Sequence, residues 1–346
     1  MGNLIKPKAL NVGDTIAAIS CSYGSASRFP HQYQWGKSQI ENNFGLKVIE
    51  TPNALKSIDY LYEHPEERAK DLMWAFENPE VKAIISIIGG DDCIRLFPYL
   101  DLNVIKNNPK IFLGYSDPTA IHFMCYKAGL SSIYGPTVMA GFGENVSLFP
   151  YTIEQTKKTL FSTDVIGEIV PATDGWTDEF LDWTYPENLK IKRKLHPFTG
   201  PNYLQGNSVV QGKLIGGCFE VLLMLSGTEL FPKSDEFDGA ILFLETSEGL
   251  PPEEMFLYWL RSLAAQGIIN KISGIIMGRA KGSSDNLSIY ENALLTITRE
   301  CGRSDMPIVS QMDFGHTDPM FYLPYGALAE IDMINKRFSI LENAVV

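Results

Sequence analysis

The feature that most limits how this chain can fold is a repeated alternation of short Ile- and Val-rich runs with segments of helical pattern. The clearest helical segment is HPEERAKDLMWAFENP at 64–79. Strands of this composition with helices between them favour a parallel sheet that is covered on both faces. In the N-terminal part of the chain, the predicted strands are 14–20, 46–50, 82–90 and 110–115.

The same alternation begins again after about residue 205 and predicts a second α/β unit. The sequence AEIDMINKRFSIL near the C-terminus predicts a hairpin with Asn335 and Lys336 at its turn. The other predicted strands of this unit are 209–217, 239–246, 274–280 and 307–313.

The segment between the two units, residues 166–205, shows no clear period and contains several aromatic residues. A long irregular segment in a compact protein is usually either functional or disordered. We therefore predict an N-terminal domain at 1–165, an irregular aromatic loop at 166–205 and a C-terminal domain at 206–346.

Composition and charge exclude several classes of protein. Of the 346 residues, 45% are hydrophobic and 20% are charged, and the net charge of −12 argues against binding to nucleic acid. The one basic cluster, KIKRK at 190–194, is short and lies among acidic residues, so we expect it to be a solvated surface. Five cysteines without a CxxC pair predict neither disulfides nor a zinc site, and we expect no metal and no other cofactor.

The location of the protein is predicted from two further absences in the sequence. The N-terminal sequence lacks the charged-then-apolar order of a secretory signal. No apolar run approaches the roughly 18 residues that a membrane span needs. We therefore expect a cytoplasmic protein that does not bind a membrane.

The stretch KIFLGYSDPTAIHF at 110–123 has a serine where an apolar strand ends and a helix begins. In open parallel sheets, ligands bind beyond the carboxyl ends of the strands, and a serine on a sharp strand-to-helix turn is exposed there. Ser116 is therefore a candidate nucleophile. The alternative is that Ser116 or Thr119 only caps the following helix, which explains most serines in this position.

A serine hydroxyl is a poor nucleophile until a base accepts its proton, so a histidine is needed. Among the five histidines, His316 in MDFGHTDPM follows an apolar strand and would project from a carboxyl end as well. The third group of such a site is a buried carboxylate that orients the imidazole. Glu245 ends the apolar run GAILFLE, where a charge is costly unless paired, and Glu248 is the second candidate. A structural salt bridge is the alternative role of Glu245.

An acyl-transfer site also needs donors for the oxyanion, and the turn IIGGDD at 87–92 can provide them. Gly89 and Gly90 would let the backbone approach a substrate without interference from a Cβ atom. We assign the donors to the N–H groups of Gly90, Asp91 and Asp117, and we assign Gly89 to substrate binding. A phosphate cradle is disfavoured, because the phosphate-motif spacing is absent and two aspartates would repel a phosphate.

The motifs IIGGDD, GYSDPT, GKLIGG, ILFLE and GHTDPM resemble, in order and approximate spacing, those of a family of serine peptidases. This family comprises the LD-carboxypeptidases and the microcin C immunity peptidases. The resemblance implies a Rossmann-like or amidotransferase-like parallel-sheet domain followed by a swivelling, β-rich α/β domain. It also implies a triad of Ser116, Glu245 and His316 that is completed across the domain interface, no metal, and a homodimer.

Two departures within this family bear on the substrate. Murein LD-carboxypeptidases typically have GGN where this chain has GGC at 216–218, and they lack a long aromatic insertion. The element GWTDEFLDW at 175–183 resembles the insertion of the immunity peptidases, in which a Trp stacks on the adenine of an aminoacyl nucleotide. Trp183 is the first candidate for this contact and Trp176 is the second. The alternative is that both side chains pack as anchors of the loop.

The resulting hypothesis is a serine carboxypeptidase-type hydrolase that cleaves a C-terminal amide in a small peptide or aminoacyl-nucleotide substrate. Ser116 would be the nucleophile, His316 the general base and then acid, and Glu245 the orienting group. The rival substrate is a murein tetrapeptide, cleaved between the diamino acid and the terminal D-Ala. A different class also stays open, in which the protein binds a nucleotide or a peptide without cleaving it.

Overall fold

The strands of the protein follow the predicted alternation closely. The computed structural model describes the backbone of residues 4–346 and the side chains of this range except those of 283–289. The strands are β1 (Thr15–Ile19), β2 (Lys47–Glu50), β3 (Val81–Ser86), β4 (Ile111–Gly114), β5 (Ile133–Tyr134), β6 (Gly167–Glu168), β7 (Asn202–Gln205), β8 (Val209–Cys218), β9 (Ile241–Glu245), β10 (Gly274–Gly278), β11 (Ile308–Met312), β12 (Leu323–Pro324), β13 (Leu328–Asp332) and β14 (Arg337–Ile340).

The helices begin and end at the residues that their sequences indicate. The helix at 65–77 begins with a proline and two acidic residues, and the helix after Ser116 ends at Gly129, whose φ is 84°. The α-helices are α1 (Ser25–Arg28), α2 (Pro30–Phe44), α3 (Ile58–Glu63), α4 (Pro65–Glu77), α5 (Leu102–Asn107), α6 (Thr119–Ala128), α7 (Pro150–Thr156), α8 (Phe219–Leu225), α9 (Glu253–Ala265), α10 (Ile268–Lys271) and α11 (Ser283–Glu300).

The N-terminal part forms a six-stranded sheet with the order β12-β5-β4-β3-β1-β2. Its strands β1 to β5 pair in parallel, and the edge strand β12 pairs antiparallel to β5. The strand that was expected at 82–90 ends at Ser86, and residues 87–92 form a turn. Because β3 and β4 are neighbours, their carboxyl ends bring this turn next to the turn that contains Ser116.

The C-terminal part forms an eight-stranded sheet with the order β6-β14-β13-β8-β9-β10-β11-β7. Its centre, β8 to β11, is parallel, whereas the flanking strands are antiparallel. The predicted hairpin is present as β13 and β14. The short strands β6 and β7, which lie in the segment predicted as irregular, add to the two edges of this sheet. They are too short to show a period in the sequence.

The two sheets are joined where β12 pairs with β5, and we call this boundary the seam. The sequence did not predict this pairing. Strand β12 follows His316 in the chain but pairs with β5, so the C-terminal part provides the edge of the N-terminal sheet. A mixed α/β fold with one mainly parallel sheet and a second sheet that is parallel at its centre confirms the predicted fold class. In the described part of the chain, no helix is both long and apolar enough to cross a membrane.

Candidate active site

Ser116 lies in the turn that joins the carboxyl end of β4 to the start of α6. Its φ of 68° is in the left-handed region, which a residue with a Cβ atom adopts at a cost of about 1–3 kcal/mol. The N–H of Ser116 donates a hydrogen bond of 3.0 Å to the hydroxyl of Tyr134. The sharp turn exposes the serine side chain in a cleft that loops of both sheets line.

The structure brings Ser116, His316 and Glu245 together, although up to 200 residues of chain separate them. Nε2 of His316 is 3.1 Å from Oγ of Ser116. Nδ1 of the same ring is 2.6 Å from Oε2 of Glu245. Each residue lies at or just beyond the carboxyl end of a parallel strand, namely β4, β11 and β9.

Glu245 is the last residue of β9 and is completely buried. Its Oε2 accepts a hydrogen bond from His316, and its Oε1 accepts one of 2.5 Å from the hydroxyl of Tyr134. A Cβ atom on Gly315, whose φ is 98°, would lie only 2.7 Å from Oε2, so the glycine permits this approach. Two donors therefore stabilise a charge that would otherwise be costly in this position.

The pKa of His316 reflects burial and nearby carboxylates. Burial by itself lowers the pKa of His316, but Glu245 and, to a smaller extent, Glu248 outweigh burial and raise the pKa above its ordinary value. Oε2 of Glu248 is 3.2 Å from Nε2, the nitrogen that faces the serine, and its side chain is 63% exposed. Glu248 is therefore not the group that orients the ring through Nδ1.

A hydroxyl, an imidazole and a buried carboxylate in this order can carry out nucleophilic catalysis. With Nδ1–H of His316 donating to Glu245, the lone pair of Nε2 faces the hydroxyl of Ser116 and can accept its proton. The imidazolium that forms would be stabilised by Glu245. The contacts among the three side chains are observed, while their catalytic roles are part of the proposal below.

The turn at 87–92 lies directly beside the serine. A Cβ atom on Gly89 would be 3.1 Å from Oγ of Ser116, so a side chain at this position would crowd the serine hydroxyl. The buried carboxylate of Asp117 accepts hydrogen bonds of 2.8 Å from the N–H groups of Asp92 and Cys93. Burial raises the pKa of Asp117. Its side chain thus holds the turn against the serine loop.

Of the three predicted oxyanion donors, Gly90 lines the cleft. The N–H groups of Gly90 and Asp117 make no hydrogen bond with the residues that the structure describes. Asp117 is completely buried and lies outside the set of residues that line the cleft, so its role as a donor stays a prediction. Gly89 and Gly90 line the cleft. Asp91 is exposed and lies outside the set of residues that line the cleft, so its role as a donor stays a prediction without geometric support.

The cleft in front of the serine has a volume of about 570 Å³. One of its walls is aromatic and consists of Phe29, Phe180 and Trp183. The ring of Trp183 lies 5.9 Å from that of Phe29 and 5.5 Å from that of Phe180, both in edge-to-face contact. This aromatic wall lies in the same cavity as Ser116 and His316, so one small ligand can contact both.

The two predicted tryptophans have different surroundings. Trp176 is 6% exposed and lies outside the residues that line the cleft. Its ring stacks on His196 with a centroid separation of 4.2 Å, and the guanidinium of Arg279 lies 4.7 Å from its centroid. The position of Trp176 therefore favours the alternative interpretation, a packing anchor, whereas Trp183 faces the ligand space.

Arg193 contradicts the expectation that KIKRK is a solvated surface. Its side chain is only 14% exposed, donates two hydrogen bonds to Glu144 and donates a further one of 2.8 Å to Asp318. Burial lowers the pKa of Arg193, but Asp318 and Glu144 outweigh it and raise the pKa. Because Glu144 belongs to the N-terminal part and Asp318 follows His316 closely, this guanidinium fastens the segment over the cleft.

Sequence reasoning missed Tyr134 and Arg193. Tyr134 is the last residue of the short strand β5, but its partners are 18 and 111 residues away in the chain. Arg193 lies in the basic cluster KIKRK, and nothing in that cluster distinguishes it from its lysine neighbours. Among the described residues, no group of three or more His, Cys, Asp and Glu could hold a metal ion.

Comparison with known proteins decides the family. Two family models match the chain, that of the LD-carboxypeptidase N-terminal domain at residues 16–135 and that of the LD-carboxypeptidase C-terminal domain at residues 211–331. The chain belongs to the LD-carboxypeptidase family. The predicted family and the predicted class of enzyme, a serine carboxypeptidase, are thereby confirmed.

Similar proteins include the microcin C7 self-immunity protein MccF of Escherichia coli, which is 31% identical over 96% of this chain and 94% of its own length. Among solved structures, an MccF-like protein from Streptococcus pneumoniae in complex with AMP is 32% identical with a TM-score of 0.86, covering 95% of this chain and 98% of its own. MccF in complex with aspartyl sulfamoyl adenosine is 28% identical with a TM-score of 0.84, covering 99% of this chain and 100% of its own. These similarities extend over both sheets.

Proposed function

We propose that this serine carboxypeptidase cleaves an amide that joins an aminoacyl group to a nucleotide-like leaving group. The observation that carries the proposal is that the Ser116–His316–Glu245 contacts open onto the same cleft as the aromatic wall of Trp183. A volume of about 570 Å³ is within the usual range for small-molecule sites.

In the proposed mechanism, Oγ of Ser116 attacks the amide carbonyl while Nε2 of His316 accepts the hydroxyl proton. The N–H groups of Gly90 and Asp117 stabilise the oxyanion of the tetrahedral intermediate. His316 then donates its proton to the leaving nitrogen, and the C–N bond breaks to leave an acyl-enzyme. Water, deprotonated by the same imidazole, hydrolyses the ester and restores the serine. Glu245 holds the ring and stabilises the imidazolium throughout.

Trp183 is proposed to stack on the base of the leaving group. A flat aromatic ring is recognised by an aromatic side chain in offset or edge-to-face contact, and Trp183 borders the cleft together with two phenylalanines. Two of the similar structures, one bound to AMP and one to aspartyl sulfamoyl adenosine, support an adenosine-type ligand.

The charges of the cleft favour this substrate over a murein tetrapeptide, which carries several carboxylates. Among the described residues that line the cleft, the basic side chains besides His316 are those of Arg193 and Lys281. Arg193 is already engaged by two carboxylates. Of these two, Lys281, whose Nζ lies 5.7 Å from the ring centroid of Phe180, is therefore left to pair with carboxylates of a substrate. A single cation is a poor match for a tetrapeptide with several carboxylates.

The test offers both substrates to the same preparation of enzyme. We expect kcat/KM to be higher for an aminoacyl-sulfamoyl adenosine than for a diaminopimelyl-D-Ala tetrapeptide. A fluorophosphonate probe should label the wild type at Ser116 and leave Ser116→Ala unlabelled, because only an activated serine reacts. Preference for the tetrapeptide would assign the protein to murein recycling, and an unlabelled wild type would favour a binding protein.

We also propose that the protein acts in the cytoplasm and that it is a homodimer, and the family resemblance supports the dimer. Light scattering on a size-exclusion column would measure the mass of the particle in solution. A monomer mass at every concentration tested would contradict the dimer.

A further inference from the structure

Tyr134 lies at the seam between the two sheets. Its backbone pairs with Gly114 of β4 on one side and with Leu323 of β12 on the other. Strand β12 belongs to the C-terminal part of the chain, so this residue is fixed by elements of both units. Tyr134 is 1% exposed, which keeps its side chain out of solvent.

The hydroxyl of Tyr134 connects two members of the proposed triad. It accepts the N–H of Ser116 at 3.0 Å and donates to Oε1 of Glu245 at 2.5 Å. A phenolic hydroxyl has one proton to donate and lone pairs to accept, so both contacts can exist at once. Burial, and then the charge of Glu245, raise the pKa of Tyr134 well above its ordinary value, which keeps the hydroxyl protonated as a donor.

Each contact constrains a different part of the site. The bond to the N–H of Ser116 supports a backbone that is held at a φ of 68°. The bond to Oε1 fixes the rotation of the Glu245 carboxylate, which leaves Oε2 directed at Nδ1 of His316. Because the N–H of Ser116 is occupied, the oxyanion donors must come from other residues.

We propose that Tyr134 is a positioning residue of the catalytic site, which sets the orientation of Glu245 and Ser116 relative to each other across the seam. This inference rests on the proposed function, since it needs Glu245 and Ser116 to act together. It predicts that the tyrosine hydroxyl controls the chemical step and the proton affinity of His316, and that it has little influence on substrate binding.

The main test is Tyr134→Phe, which removes one oxygen and keeps the ring. We expect kcat to fall about tenfold to a hundredfold with KM nearly unchanged, since a hydrogen bond to a charged group is lost. Without the phenol, the negative charge of Glu245 is less well stabilised and pairs more strongly with the imidazolium. The pKa of His316 should therefore rise, and the acid limb of kcat/KM should move to higher pH.

The matched control is Tyr322→Phe. Tyr322 is equally buried near the same seam, but its hydroxyl contacts that of Thr156 at 2.6 Å and not the triad. Its kcat and acid limb should stay at wild-type values. Should Tyr134→Phe fold poorly, a fluorinated tyrosine at position 134 keeps the hydroxyl and makes it a stronger donor. That substitution should move the acid limb in the opposite direction, to lower pH.

The outcomes separate this inference from the proposed function. If the wild type is labelled by a fluorophosphonate probe and Tyr134→Phe retains its kcat and its acid limb, the positioning role is wrong while the serine mechanism stands. If the wild type itself is not labelled, the proposed function fails first. A fluorinated tyrosine that leaves the acid limb in place would also overturn the inference.

Discussion

The two sides of the cleft are built in different ways. Ser116, Glu245 and His316 lie at or just beyond the carboxyl ends of parallel strands, so backbone hydrogen bonds of the sheets determine where they are. The opposite side is formed by the part of the 166–205 segment between β6 and β7, which contributes no strand to either sheet and has few backbone hydrogen bonds to the rest of the chain, such as those between Thr177 and Asp318. There, single side-chain contacts such as those of Arg193 hold the chain in place.

This difference predicts how each side responds to substitution. A change on the strand-end side should remove chemistry and leave the fold intact, because the sheets do not depend on those side chains. A change on the segment side should alter the shape of the ligand space, because a few contacts determine it. The four predictions below test this contrast.

The largest expected effect is that of Ser116→Ala and His316→Ala, each of which should lower kcat/KM by several orders of magnitude. The double variant should be hardly worse than either single one, because members of a triad act as a unit. Steady-state kinetics on all three variants, with thermal unfolding to show that the fold is kept, provide the measurement.

The control for the histidine is His64→Ala, which replaces a side chain 41% exposed at the start of α4. It should retain wild-type turnover. Near-normal turnover of His316→Ala would show that the imidazole is not the base, and additive losses in the double variant would argue against a shared mechanism.

The second prediction compares the two tryptophans of the segment. Trp183→Ala should lower kcat/KM on the nucleotide substrate by roughly tenfold to a hundredfold, since stacking on a base contributes about 1–3 kcal/mol. Trp176→Ala should instead lower the free energy of unfolding, by about 3 kcal/mol, because a buried aromatic side chain is removed. Kinetics and thermal unfolding on both variants separate the two effects.

An aminoacyl amide that lacks the base is the control substrate for this comparison. Trp183→Ala should lose little activity on it, because no ring is available for stacking. Equal losses on the two substrates would mean that Trp183 shapes the cleft and does not recognise the base.

The third prediction concerns the contact that holds the segment. Arg193→Met should raise KM about tenfold and should expose the 166–205 segment to limited proteolysis. Removing the guanidinium leaves the carboxylate of Glu144, 3% exposed, without its cation, and such a loss is strongly destabilising for the local structure. Lys192→Met, a change of the same size at an exposed neighbour, should leave both KM and the protease pattern as in the wild type.

The sequence predicts the strand-end side of the cleft better than it predicts the side formed by the 166–205 segment. Glu245 could be predicted because a carboxylate at the end of five apolar residues needs a partner, and Ser116 because it interrupts a strand-helix junction. Arg193 could not, since its partner Asp318 is 125 residues away and the local sequence has the composition of a surface. The pairing of β12 with β5 was also missed, because a strand of two residues is too short to show a period in the sequence.

The smallest expected effect is a shift of the pH profile in Glu248→Gln, and it tests an exposed charge on the strand-end side. His316 must be neutral to accept the serine proton, so activity is lost as the pH falls through the pKa of His316. Glu248 contributes to the raised pKa from 3.2 Å away, and its removal should lower that pKa. The acid limb of kcat/KM should therefore move to lower pH, by about half a unit or less, because solvent screens a side chain that is 63% exposed.

Glu253→Gln, which removes a charge at the start of α9, is the matched control and should leave the limb in place. An acid limb that stays in place or moves upward in Glu248→Gln would show that the carboxylate of Glu248 does not stabilise the imidazolium.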